Sequence, residues 1–330
     1  MLIKFLSMIS KGLVSLNEKP YKFVFYRNFQ SFRGGHLKVW HYYTYVKSTC
    51  SMPPLITFSP DSLWDESNPW LLENIAKTWE PHKSNVIFMA GFDWIALDKC
   101  QEYKPSQNIP IINLIQGFAH VNPDDWRYSF LSRKAIRICV SKEIEQALLK
   151  TGVVNGPIFT IPNGLDVDVV RERSVRKIKL LIMGIKQKKL AKELEKALFS
   201  LGIEALLILD SVNREEFLEL LKSSDIVLTL PLEKEGFYLP ALEAMASGCL
   251  VICPDCIGNR GFCIDRETCF VPSYTLNSLV DAVKTACNMD AALKNKMLAM
   301  STAKAANHTL DKEREAFLKI LNNIDELWKC

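Results

Sequence analysis

The sequence predicts an α/β protein built from two doubly wound domains with parallel sheets. Three observations carry this. Short apolar runs of strand length alternate with longer segments of helical periodicity from residue 22 onward. The alternation pauses at Ile161-Pro-Asn-Gly-Leu-Asp166, a turn-rich stretch followed by the charged VRERSVRK, and then restarts. Finally, 330 residues exceed the core of one typical domain and suit two.

In the first half the apolar runs are KFVFY (22–26), PLITF (54–58), NVIFMA (85–90), IPIINLI (109–115), AIRICV (135–140) and PIFTI (157–161). Helical patterns fall at 35–47, 68–78, 124–133 and 142–151. The second half offers strands at 177–184, 204–210, 225–231 and 249–253. Its helices fall near 187–200, 213–223, 240–247, 275–288, 290–305 and 311–328. The expected domains are 1–165 and 166–310, with the helix of 311–330 packing back on the first. In such sheets ligands bind beyond the carboxyl ends of the strands, so two facing domains imply a central cleft.

Composition narrows the function classes. The chain is 48% hydrophobic and 24% charged, as in a folded globular protein, and carries no low-complexity block. A net charge of +4 suits an anionic small ligand or an acidic membrane surface and is too weak to argue for nucleic acid. The ten cysteines have irregular spacing and no cleavable signal precedes them, which points to a reducing cytoplasm. Cys253 and Cys256 have the gap of a zinc half-site, with Cys249, Cys263 and Cys269 nearby. Yet Cys263 and Cys269 are split by five residues, and Cys253 ends the apolar run CLVIC, so the group reads as core cysteines. Residues 1–16 place Leu2, Phe5, Leu6, Ile9, Leu13 and Leu16 near helical spacing. This fits a helix packed on protein, or one lying at an anionic membrane surface.

The strongest functional signal is Glu233 to Gly248, EKEGFYLPALEAMASG. DIVLTLP before it reads as a strand buried on both faces, so the loop LEKEGFYL sits at a strand's carboxyl end. Pro240 suits a helix start, and Leu239 before it has no side-chain oxygen to cap the first N–H groups. Uncapped N–H groups and the positive dipole end favour a phosphate or diphosphate, or are met by water or a loop carbonyl. Glu243 lies among Ala241, Leu242, Ala244, Met245 and Ala246. A carboxylate buried there needs a partner, and a vicinal diol such as ribose supplies two donors.

This block resembles the E-x7-E signature of the retaining family 4 glycosyltransferases of the GT-B fold, with Glu235 and Glu243 at the required separation. The resemblance implies that Glu243 holds the ribose, that Glu235 contacts the transferred sugar, and that Gly236 with the backbone of Phe237, Tyr238 and Leu239 faces the diphosphate. FRGGHLK resembles the family's glycine loop, which implies that Gly34 and Gly35 let backbone approach donor phosphates. Gly184 matches the glycine ending the first strand of the nucleotide domain. After it Ile185 stands where arginine is usual, leaving Lys186, Lys188 and Lys189 as phosphate candidates, Lys189 by spacing. Tyr238 replaces a commonly small residue; its ring either narrows the sugar pocket or turns away. Gln116 stands nearest the family's strand-end histidine, and His120 follows. His120 then donates to a sugar hydroxyl or phosphate oxygen, or is a plain loop histidine. Asp93, in AGFDW, either meets the acceptor or caps a helix.

The implied activity is metal-independent, cofactor-free transfer of a sugar from a nucleotide-diphosphate donor to a hydroxyl of a glycan, lipid-linked or small-molecule acceptor. Such enzymes commonly serve bacterial surface glycan assembly, in the cytoplasm or at the inner membrane face. Under this reading Glu235, His120 and Lys189 are the catalytic candidates. The altered Arg position leaves a second reading, a nucleotide-binding regulatory partner of an active transferase.

Overall fold

A computed structural model describes residues 21–170 and 175–329. The amphipathic stretch 1–16 lies outside the described residues. The chain forms two compact units, one of Met1–Pro162 with Asp311–Cys330 and the other of Asn163–Leu310.

The first unit holds a six-stranded parallel sheet in the order β2-β1-β3-β4-β5-β6. The strands are β1 (Phe23–Arg27), β2 (Leu55–Phe58), β3 (Val86–Ala90), β4 (Ile111–Ile115), β5 (Ile136–Cys139) and β6 (Ile158–Thr160). β3 and β4 are buried at every residue, as their continuous apolar runs require. Helices α1 (Gly34–Thr49), α2 (Asp93–Lys99), α3 (Trp126–Ser129) and α4 (Lys142–Thr151) connect them. α4 begins on Ser141, whose hydroxyl accepts from the N–H of Ile144, and ends on Gly152 in the left-handed region.

Two segments differ from the periodicity. Residues 68–78 form turns, because the Asn68 side chain accepts the N–H of Trp70 and competes with a helix start. Trp70 is fully buried against Trp40, Tyr43 and Phe58. Residues 124–133 yield only α3 and a 3-10 turn over Phe130–Ser132. There the carbonyls of Phe130, Leu131 and Arg133 accept from the guanidinium of Arg137, at 3.0, 2.8 and 2.7 Å. Those bonds engage one terminal nitrogen of a charged side chain wholly buried in β5.

The second unit holds a four-stranded parallel sheet, β10-β9-β7-β8. Its strands are β7 (Ile178–Met183), β8 (Leu206–Ile208), β9 (Ser224–Thr229) and β10 (Leu250–Ile252). Its helices are α5 (Lys188–Phe199), α6 (Arg214–Ser223), α7 (Leu239–Ala246), α8 (Leu276–Cys287) and α9 (Ala291–Ala305). One apolar cluster joins α7 to Leu181, Val227 and Val251, and includes Cys249, Cys253, Cys256, Cys263 and Cys269. These cysteines form no disulfide among the described residues and are buried, as core residues are.

The expected terminal helix is two, α10 (Leu310–Asn322) and α11 (Ile324–Leu327). All of it beyond Leu310 belongs to the first unit. Phe317 packs edge-on against Tyr42, and Glu313 pairs with Lys38 at 2.6 Å, both side chains essentially inaccessible. Among the described residues, no helix is long and apolar enough to cross a membrane.

Candidate functional site

In the second unit the strand order reverses between β7 and β9, so their carboxyl ends flank a topological switch point, where open α/β sheets bind ligands. Lys186 follows β7, and Glu235 follows β9. Lys186 Nζ reaches Glu235 Oε1 at 2.6 Å, and the N–H of Leu232 donates to the same oxygen at 3.1 Å. The ammonium also stands 5.5 Å from the ring centroid of Tyr238, within cation–π range. That ring is only 4% exposed and packs in the apolar cluster of α7.

Helix α7 starts at Leu239, with Pro240 next and Tyr238 as its N-cap residue, and no side chain caps it. The N–H of Tyr238 donates to the carbonyl of Gly258 at 3.4 Å, so one of the expected backbone groups already has a protein acceptor. The ring of Phe237 lies 5.3 Å from Phe262 and 5.7 Å from His308. Because α7 begins one residue before Pro240, Glu243 falls in its second turn and not its first. Glu243 is 3% exposed, and its Oε1 stands 2.7 Å from an Arg214 guanidinium nitrogen. Arg214, first residue of α6, is the partner a buried carboxylate requires, and its own side chain remains 26% exposed.

The Glu235 loop is fixed from below by the segment after β10. Glu235 bridges Ile257, and its N–H donates to the Cys256 carbonyl at 2.9 Å. A Cβ on Gly258 would meet the Glu235 carbonyl oxygen at 2.4 Å, so only glycine permits this approach. Ile257 adopts φ of 66°, a strained conformation for a β-branched residue, and such strain concentrates at functional sites. Gly184 has a packing duty: a Cβ there would stand 2.1 Å from that of Ala191 on α5.

Lys188 and Lys189 open α5, which has no side-chain cap and no acid in its first turn. Two cations at the positive dipole end reverse the usual preference and leave a start suited to an anion. Lys188 pairs with Asp210 at 2.7 Å, and Lys189 is exposed. Of the three lysines proposed for the diphosphate, Lys186 is the one that pairs with Glu235, while Lys189 stands at the exposed start of α5.

In the first unit the switch point lies between β1 and β3. Arg27 at the end of β1 donates to Asp93 Oδ2 at 2.9 Å, and its second terminal nitrogen lies 3.1 Å from His36 Nδ1. The same Asp93 oxygen accepts the N–H of Ala90 at 2.8 Å. Burial pushes the Asp93 carboxyl up to about 6, against the pull of Arg27. Burial, helped by Arg27 and Arg33, lowers His36 to about 3. Sequence reasoning missed Arg27 and His36: only the β1–β3 adjacency brings Arg27 to Asp93, and His36 joins through its contact with Arg27.

Gly34 and Gly35 open α1, again without a side-chain cap, and the Gly35 carbonyl accepts from Gln116 Nε2 at 3.2 Å. His120 is no exposed loop residue: it is 4% exposed, with Nδ1 at 3.2 Å from the Gly117 carbonyl and Nε2 lacking a hydrogen-bond partner. Burial lowers its pKa to about 4, so the ring is neutral and Nδ1 carries the proton toward Gly117.

Residues 167–305 match the family model described as glycosyl transferases group 1. No curated protein sequence matches the chain. Among solved structures it is similar to sucrose-phosphate synthase of Thermosynechococcus elongatus (TM-score 0.69, 11% identity, covering 93% of this chain and 99% of that one). It is also similar to Anabaena HepE in complex with UDP-glucose (TM-score 0.69, 13% identity, 91% and 99%). A third is a glycosyltransferase of Rickettsia africae (TM-score 0.65, 14% identity, 94% and 99%). These likenesses establish the fold as GT-B.

Proposed function

We propose that this GT-B chain, whose residues 167–305 match the glycosyl transferases group 1, transfers a sugar from a nucleotide-diphosphate sugar to a hydroxyl acceptor with retention of configuration. The observation that carries the reading is the convergence of Lys186, Glu235, the uncapped start of α7 and buried Glu243 around one sheet's switch point.

In this scheme Glu243 exchanges part of its contact with Arg214 for the ribose diol. Glu235, held by Lys186 and the Leu232 N–H, orients the sugar hydroxyls and forms no covalent bond to the sugar. Lys186, Lys189 and the α5 and α7 starts stabilise the departing diphosphate, where preorganised donors do most for a developing charge. The phosphate oxygen itself accepts the acceptor's proton, so transfer uses no resident metal or cofactor. Gly34 and Gly35 offer backbone to a phosphate-bearing group. The neutral His120 ring offers Nε2 as an acceptor, the reverse of the donor role expected from sequence. The complex of HepE with UDP-glucose supports a uridine donor class, and surface glycan assembly at the inner membrane face is the pathway proposed.

The test is incubation with a panel of nucleotide sugars and simple acceptors, measuring nucleoside diphosphate release and product anomeric configuration by NMR. Retention of the donor's configuration supports the scheme, and inversion refutes it. One observation favours the regulatory reading: Ile185 replaces the usual arginine while Lys186 is engaged by Glu235. Tight nucleotide binding without turnover on any acceptor would establish that alternative.

A further inference from the structure

At the opposite edge of the first sheet, the amino-terminal ends of its strands, a second group of donor atoms converges. His82 lies in the 3-10 turn Pro81–Lys83 just before β3, and Cys100 ends α2, which returns antiparallel to β3. Glu102 follows in the next turn. One ligand atom from each of the three lies within 4.8 Å of the other two. Cys100 Sγ stands 3.5 Å from Glu102 Oε2. A zinc ion with a thiolate at about 2.3 Å and a carboxylate oxygen at about 2.1 Å, at the tetrahedral angle, sets those atoms about 3.6 Å apart. The Cys–Glu spacing is thus already that of a tetrahedral edge. His82 Nδ1 is buried without a hydrogen-bond partner, a costly state for an imidazole nitrogen that a metal would relieve.

We propose that His82, Cys100 and Glu102 form a zinc site whose fourth position is left to water, separate from the sugar-transfer chemistry. Mixed imidazole, thiolate and carboxylate donors select zinc over magnesium or calcium, which prefer all-oxygen shells. Binding exchanges the thiol proton that Cys100 shares with Glu102 for the metal, so one proton is released from sulfur as the Zn–S bond forms. The ion ties the turn before β3 to the end of α2. Three protein ligands make it exchangeable, unlike a closed four-ligand structural site.

The experiment uses tag-free, reduced full-length protein. It is stripped with chelator, equilibrated with zinc or cobalt(II), desalted, and assayed for retained metal and for a thiolate-to-cobalt band in the near ultraviolet. One equivalent and a clear band are expected for the wild type. The band is lost in Cys100→Ser, and affinity falls at least tenfold in His82→Ala, with far-UV circular dichroism unchanged in both. The proposal is overturned if the wild type retains no stoichiometric metal. It is equally overturned if Cys100→Ser and His82→Ala bind as the wild type does, or if binding is lost only in Cys253→Ala, which would move the metal to the core cysteines.

Discussion

Replacing Glu243 with glutamine keeps the side chain's shape and removes its charge, which isolates what the carboxylate does for a nucleotide. In the free protein Glu243 is 3% exposed and sits 2.7 Å from Arg214. Removing the charge leaves the Arg214 nitrogen that faces it, buried although the side chain as a whole is 26% exposed, with only a neutral amide oxygen opposite. The stability cost is therefore up to about 3–5 kcal/mol, that of breaking a buried pair. For binding, a hydrogen bond to a charged acceptor contributes about 1.5–3 kcal/mol net, and glutamine retains one neutral acceptor. Losing one charge-assisted bond weakens Kd by roughly 10- to 150-fold. Titration calorimetry with the nucleoside diphosphate the wild type binds best reads this directly, with thermal melts confirming the variant is folded. Glu235→Gln serves as the contrast and should leave nucleoside diphosphate affinity within a few-fold while lowering turnover. A folded Glu243→Gln variant with a Kd within twofold of wild type would refute the ribose assignment.

Three further outcomes concern the frame around the site. Gly184→Ala forces a Cβ to within 2.1 Å of Ala191 and should destabilise the second unit by about 1–3 kcal/mol, read as a lower Tm; an unchanged Tm would contradict the packing role. Lys38→Met leaves the buried Glu313 carboxylate without its ammonium and should cost about 3–5 kcal/mol in urea denaturation. The double variant with Glu313→Leu should recover much of that loss, and no recovery would contradict the pairing. His120 titrates at about 4 in the fold against about 6.5 unfolded, so the unfolded chain binds the extra proton. Its contribution is full above pH 6.5 and is lost as pH falls toward 4, amounting to about 3 kcal/mol. His120→Gln should flatten that part of the acid-side slope, and an identical slope would show the ring is solvated.

The strands and long helices were legible because burial on both faces writes continuous apolar runs, as in Val86–Ala90 and Ile111–Ile115. The segments misread were those where a side chain outcompetes the helix: Asn68 for the N–H of Trp70, and Arg137 for the carbonyls of Phe130 to Arg133. In the site, the spacing of Glu235 and Glu243 was readable, since both lie in one contiguous block. Their partners were not. Lys186 and Arg214 lie 49 and 29 positions away, and only the strand order β10-β9-β7-β8 determines which lysine faces Glu235. The same holds for Arg27 beside Asp93. The duty of Gly258 under the Glu235 loop appears only once β10 lies beside β9.

The central claim is that Glu235 and Glu243 hold a nucleotide-diphosphate sugar. The most direct measurement is thermal stability of the wild type against a panel of nucleoside diphosphates and their sugar conjugates. A ligand at 100 times its Kd stabilises by about 2.7 kcal/mol, so a cognate donor must raise Tm, and the gain must shrink in Glu243→Gln. If no member of the panel shifts Tm, or if the shift persists undiminished in that variant, the account is wrong.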